Sequence, residues 1–102
     1  MNEKNKLTIT RNIGLNRGKS RIWIEGKSLS DYGWIKGASY AKDNSAKGLI
    51  VLTKDVKGKL NVAGGPDRPV LDLCGKYVSI GFVGFQKVSV EITVEKITIK
   101  GN

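Results

Sequence analysis

Apolar residues recur at every second position in short runs along this chain, and glycine-rich breaks separate the runs. Leu7-Thr8-Ile9-Thr10, with Ile13 continuing the apolar phase, predicts a first strand. Residues 12–20 hold Gly14, Asn16, Gly18 and Ser20 and predict a loop. Arg21–Glu25 predicts a second strand. Ser28-Leu29-Ser30-Asp31 has the S-x-x-[DE] form of a helix N-cap, and Gly33 stops that helix after about one turn. Residues 38–42 predict a strand, Asp43-Asn44-Ser45 a turn, and Leu49–Leu52 the return strand, whose unbroken apolar run suggests cover on both faces. Lys54–Lys59 is a basic turn, Leu60-Asn61-Val62 a short strand, and Ala63-Gly64-Gly65-Pro66-Asp67 a linker. Arg68–Leu73 predicts the next strand, followed by a turn-like segment to Ile80. Val88–Val94 alternates cleanly, and Ile97-Thr98-Ile99 returns after Glu95-Lys96.

The pattern also predicts an internal repeat. Arg21-Ile22-Trp23-Ile24-Glu25 lies over Arg68-Pro69-Val70-Leu71-Asp72, Gly33-Trp34-Ile35 over Gly81-Phe82-Val83, and Ile50-Val51-Leu52 over Ile97-Thr98-Ile99. Shared order with matched punctuation is the mark of a duplication. One such unit is too small to bury its own apolar face, and two packed together are not. The expected division is residues 1–20 as an N-terminal strand and basic loop, 21–62 as repeat 1, 63–67 as linker and 68–102 as repeat 2. Trp23, Trp34 and Phe82, at matched positions, are expected in the core, and Tyr32, Tyr40 and Tyr77 half-exposed.

Gly26-Lys27-Ser28-Leu29 and Gly33-Trp34-Ile35-Lys36-Gly37 carry a G-x-x-L turn and a G-aromatic-x-x-G turn between a strand and a hairpin. This stretch resembles the AbrB-like swapped-hairpin domains, in particular the SymE-type toxin branch, in a tandem form similar to short phage and mobile-element proteins. The second block departs from it, with Lys76 in place of the leucine. The resemblance implies an all-β fold with small α content. It would be a compact β-barrel from two tandem units with pseudo-twofold symmetry, a monomer with an internal pseudo-dimer or a homodimer.

Composition sharpens the functional side. The chain has 102 residues, enough for one small domain. Thirteen glycines against two prolines favour tight turns over a disordered linker. No apolar run approaches the roughly 20 residues of a membrane span, and the N-terminus lacks the apolar segment of a signal peptide. A single cysteine, Cys74, precludes an internal disulfide and fits a reducing, cytoplasmic setting; it reads as a small buried hydrophobe. Eighteen Lys+Arg against nine Asp+Glu give +9, the electrostatic footprint of a polyanion binder. The alternative is a solvated lysine surface that keeps a small sheet soluble.

Catalytic chemistry has little to build on. There is no histidine, and Cys74 alone makes neither a zinc site nor an activated nucleophile. Glu25 and Asp72 are expected as partners of Arg21 and Arg68. Residues 14–20, G-x-x-x-G-K-S, fall one residue short of a phosphate loop. No cofactor or metal is expected. The densest one-sign region holds Lys4, Lys6, Arg11, Arg17, Lys19, Arg21 and Lys27 with one acid, Glu25, and is the expected polyanion surface. Tyr32 and Tyr40 are candidate base-stacking residues. The sequence thus supports a non-enzymatic nucleic-acid-binding protein of phage or mobile-element type, with DNA ahead of RNA. Its alternative is an anti-CRISPR or anti-restriction inhibitor that binds a bacterial defence nuclease, such as a CRISPR nuclease, or its guide RNA complex.

Overall fold

A computed structural model describes residues 6–102. The strands are β1 (Leu7–Asn12), β2 (Gly14–Asn16), β3 (Lys19–Glu25), β4 (Ser39–Asp43), β5 (Leu49–Lys54), β6 (Leu60–Asn61), β7 (Ala63–Gly65), β8 (Arg68–Cys74), β9 (Lys87–Ile92) and β10 (Lys96–Gly101). Two short helices, α1 (Lys27–Ser30) and α2 (Lys76–Gly81), follow β3 and β8. The strands form two antiparallel open sheets, ordered β1-β9-β10-β5-β4-β6 and β2-β3-β8-β7.

The expected closed barrel is therefore not what forms. The chain passes between sheets at Ile13 and at Val62, whose amides donate to the carbonyls of Gln86 and Ala38. Those two corners join the sheets, but the outer strands do not pair with each other to close a ring. Between the sheets lies one core. Strand alternation sends Ile22 and Ile24 of β3, Leu71 and Leu73 of β8, Val88, Val90 and Ile92 of β9, and Ile97 and Ile99 of β10 inward. Ile50 and Leu52 of β5 join them; Leu49 and Val51 on its other face are only half-buried, so that strand is not covered on both sides.

The two halves run through the same succession of three strands, a helical turn and a hairpin. Their pairing is reciprocal. Ile22 faces Leu73, Ile24 faces Leu71, and Trp23 faces Asp72 at the centre. In the other sheet Leu52 faces Ile97, Ile50 faces Ile99, and Val51 faces Thr98. The first strand of each half lies beside a strand of the other half, β1 on β9 and β6 on β4.

Glycine geometry makes both strand-to-helix corners. Gly26 and Gly75 have φ of 87° and 143°. Each then accepts the first helical bonds, Leu29 and Ser30 onto Gly26 and Val78 and Ser79 onto Gly75. The cap expected at Ser28 is displaced by Gly26; Ser28 lies within α1, and its buried hydroxyl has no hydrogen-bond partner among the described residues. Leu29 and Val78 plug the core from these two turns.

Several sequence expectations change. Residues 12–20 are not an open loop but the β2–β3 hairpin, which also removes the phosphate-loop reading. The stretch expected as a linker is the β7–β8 hairpin, with Gly65 opposite Arg68. Trp34 and Phe82 are buried as expected, whereas Trp23 is 37% exposed, because β3 register aims it away from Ile22 and Ile24. Tyr40 is buried rather than half-exposed, packed against Trp34 with ring centroids 5.9 Å apart. Cys74 is half-buried.

The β7–β8 hairpin gives a test of backbone fit. Gly64 has φ of +94°, and a Cβ there would run into the Arg68 carbonyl oxygen and come 2.9 Å from the Val70 amide nitrogen. Gly65 has open space at the same position. Gly64→Ala is expected to destabilise by at least about 2 kcal/mol and Gly65→Ala to stay within about 1 kcal/mol of the parent in urea unfolding.

Candidate nucleic-acid interface

The basic residues singled out by the sequence do not share one surface. Lys4 lies outside the described residues. Lys6 pairs with Glu91 at 3.1 Å beside the outer face of the six-stranded sheet, where Glu91 faces Thr8. Lys27 pairs with Asp31 at 2.9 Å, one helical turn on. Arg21 donates from Nε and Nη2 to both Asp72 oxygens at 2.8 and 2.9 Å, so Asp72 partners Arg21 and not Arg68. That hydrogen bond is the first cause of the raised pKa of Arg21. These are the three ion pairs among the described residues. Exposed pairs of this kind add little stability and chiefly cancel charge locally. Arg11 sits opposite the buried Val88 and donates to the Thr10 carbonyl at 3.1 Å.

Arg17 and Lys19 stay exposed at the β2–β3 tip, and this tip adjoins α2. The Ser20 amide donates to Ser79 Oγ at 3.1 Å, and the Gly75 amide to the Ser20 carbonyl at 3.4 Å. On its other side α2 and the β4–β5 loop line a groove of about 410 Å³ with Ser45, Lys47, Lys76, Tyr77 and Ile80. Lys42, opposite Leu52 on β4, places its ammonium 3.6 Å from the Tyr77 ring centroid. Burial lowers the pKa of Lys42 and, as the leading cause, pushes the Tyr77 phenol up to about 12. Arg17, Lys19, Lys76, Lys47 and Lys42 therefore follow one another across three adjoining elements. The acid beside them, Asp43, is held in its own loop, where Oδ1 accepts from the Ser45 amide at 3.0 Å and the Ser45 hydroxyl at 2.7 Å.

The corresponding elements of the other half are mixed in charge. The hairpin tip is Pro66-Asp67, Asp31 follows α1, and the β9–β10 turn carries Glu95. That turn is also shorter, residues 93–95 against 44–48. Trp34 Nε1 ties it down by donating to the Thr93 carbonyl at 2.8 Å.

Lys42, Lys47 and Lys76 escaped the sequence reading because they lie far along the chain from Arg17. Matching the two hairpins puts Lys47 where the other turn has Glu95, a contrast that the sequence holds for that residue alone. Tyr32 is half-buried and its carbonyl accepts from Lys54 Nζ at 3.1 Å; Tyr40 is buried, so neither expected stacking residue presents an open ring. Trp23 is the more exposed ring, on the outer face of the four-stranded sheet, and Arg21 covers part of it with Cζ 4.4 Å from the ring centroid. Among the described residues no group of three or more His, Cys, Asp or Glu side chains is placed to hold a metal, and no helix is long and apolar enough to cross a membrane.

The Tyr77 environment has a measurable consequence. Its raised pKa means the folded chain keeps a proton that the unfolded chain surrenders between pH 10 and about 12. The contribution is whole below pH 10 and falls away across that window. Tyr77→Phe should remove part of the alkaline loss of stability, read as a flatter melting-temperature profile above pH 10, together with the most alkaline tyrosinate absorbance step.

No family model, curated protein or solved structure matches this chain.

Proposed function

We propose that the chain is a non-catalytic nucleic-acid-binding module made of two duplicated, swapped-hairpin-like units related by a pseudo-twofold axis. The reciprocal pairing supports the duplication, since Trp23 and Asp72 face each other in one sheet and Val51 and Thr98 in the other. The phosphate backbone binds the face formed by the β2–β3 tip, α2 and the β4–β5 loop. One observation carries this reading: on a repeated frame, the face with α2 and the β4–β5 loop is basic and grooved, whereas the matching positions of the other half carry Asp67, Asp31 and Glu95 beside Lys27. Lysine and arginine on adjoining elements release counterions from nucleic acid, which gives affinity without base recognition.

Backbone strain at the hairpin tip supports the same face. Asn16 faces Lys19, so Arg17 and Gly18 form a two-residue turn, with φ of 54° and 83°. Asn-Gly suits such a turn best. Arginine in the left-handed region costs about 1 kcal/mol and is explained if its charge serves binding.

Fluorescence anisotropy with labelled oligonucleotides across a salt series tests the proposal. Lys47→Ala and Lys76→Ala should each weaken binding and lower the slope of log affinity against log salt by about one. Lys96→Ala, at the start of β10, should leave the slope unchanged. Arg17→Asn should move two readouts in opposite directions, stabilising the fold by about 0.5–1 kcal/mol while weakening binding. Absence of binding at low salt to both duplex and single-stranded oligonucleotides refutes the function.

A further inference from the structure

The outer face of the four-stranded sheet carries an exposed aromatic ring among charged side chains. Along β3 it presents Lys19, Arg21, Trp23 and Glu25 in turn, by strand alternation. Next to these, β8 presents Cys74, Asp72, Val70 and Arg68, by the register of the two strands. The outer strands contribute almost no bulk. Gly14 lies opposite Arg21 on β2, and Ala63 and Gly65 lie opposite Val70 and Arg68 on β7. Trp23 therefore stands in the middle of the sheet with small residues at its margins.

The tryptophan is also held still. Arg21 reaches over the indole at 4.4 Å, and both of its bonded nitrogens are fixed by Asp72. A base stacks on an aromatic ring or on a guanidinium plane, and Trp23 and Arg21 supply both at one point. Along β3 the charge runs from Lys19 and the Arg17 tip to Glu25, while on β8 Arg68 lies at the Glu25 end. Phosphates flanking a stacked base lie at the cationic end, which is also where the α2 face begins.

We infer that this sheet face takes single-stranded nucleic acid, with an unpaired base stacked at Trp23–Arg21 and the adjoining phosphates on Lys19 and Arg17. The inference rests on the nucleic-acid reading above and narrows its ligand class. A duplex keeps its base faces within its own stack, so Trp23 adds nothing to duplex binding. The helices offer no alternative reader, because α1 spans four residues and α2 six, too short to present a recognition helix to a major groove.

Anisotropy titrations with an oligothymidylate, an oligouridylate and a short duplex, at one moderate salt concentration, decide it. The parent protein is expected to bind at least one single strand more tightly than the duplex. The DNA and RNA arms show which backbone is preferred. Trp23→Ala should weaken the preferred single strand roughly tenfold, Trp23→Phe should keep most of the affinity, and duplex affinity should change less than about twofold. Intrinsic fluorescence adds a second readout. Trp34 is fully buried, so quenching on single-strand binding should come from Trp23 and vanish in Trp23→Phe. Melting of each variant checks that it is folded, which the exposure of Trp23 favours. Equal or tighter duplex binding, or single-strand affinity untouched by Trp23→Ala, overturns the inference and leaves the nucleic-acid reading standing. Self-association that Trp23→Ala abolishes, with unchanged single-strand affinity, assigns the face to a second copy and likewise overturns it. Failure of all three oligonucleotides to bind, at low salt as well, overturns both.

Discussion

The pairing of β3 with β8 is the constraint on which the rest of this molecule depends. It joins the two halves across five residue pairs, Arg21 to Glu25 against Cys74 to Val70. It also locks both helical corners. The Gly26 amide donates to the Pro69 carbonyl and the Gly75 amide to the Ser20 carbonyl, so each turn is bonded to the start of the opposite strand. A slip of one residue would break both bonds at once. It would also turn either Ile22 and Ile24 or Leu71 and Leu73 outward, and drive Trp23 or Asp72 into the core. Burying an aspartate away from its arginine is costly. The apolar pattern and the two glycine corners therefore specify one register between them.

That register decides what each face is available to do. Trp23 points outward because its neighbours point inward, and Asp72, opposite it, is placed where Arg21 can reach both of its oxygens. Arg21 is thereby committed to the sheet, and so are Lys6 and Lys27 to their own acids. The net charge of +9 is felt elsewhere, on side chains whose elements meet only in the folded chain. Arg17 and Lys19 belong to a hairpin, Lys76 to α2, and Lys42 and Lys47 to the β4 hairpin. Two hydrogen bonds through Ser20 bring the first of these against the second.

Alternation made most strands, the order of the elements and nearly all of the core legible in the sequence. What failed failed for local reasons. Laying Arg21 over Arg68 put Trp23 on Val70, whereas the equivalent corners, Gly26 and Gly75, put Trp23 on Asp72. Those two alignments differ by an even number of residues, so they predict the same buried phase and alternation alone does not separate them. Glycine-rich stretches suggest loop and linker, yet Gly14, Gly18, Gly64 and Gly65 all belong to tight hairpins, of which Gly18 and Gly64 need their positive φ. The one-sign run from Lys4 to Lys27 was visible, but its pairing with Glu91, Asp72 and Asp31 was not, since two of those acids lie in the other half of the chain. A charged surface is a tertiary property, and only the fold says which cations are spent.

Duplication within one chain has a consequence that a homodimer would not share. Two identical subunits present two identical faces, and such proteins suit duplex sites whose half-sites mirror the protein symmetry. Fused units are free to diverge. Under the proposed duplication, Lys47 stands where the other unit has Glu95, Gly18 where it has Asp67, and an opened groove where it has the Trp34–Thr93 bond. A frame with one basic face has no second, equivalent face to engage a palindrome. Its charge on β3 runs one way, from Lys19 to Glu25. Asymmetry of that kind matches a ligand with a direction and no twofold axis, which a single nucleic-acid strand has and a palindromic duplex lacks.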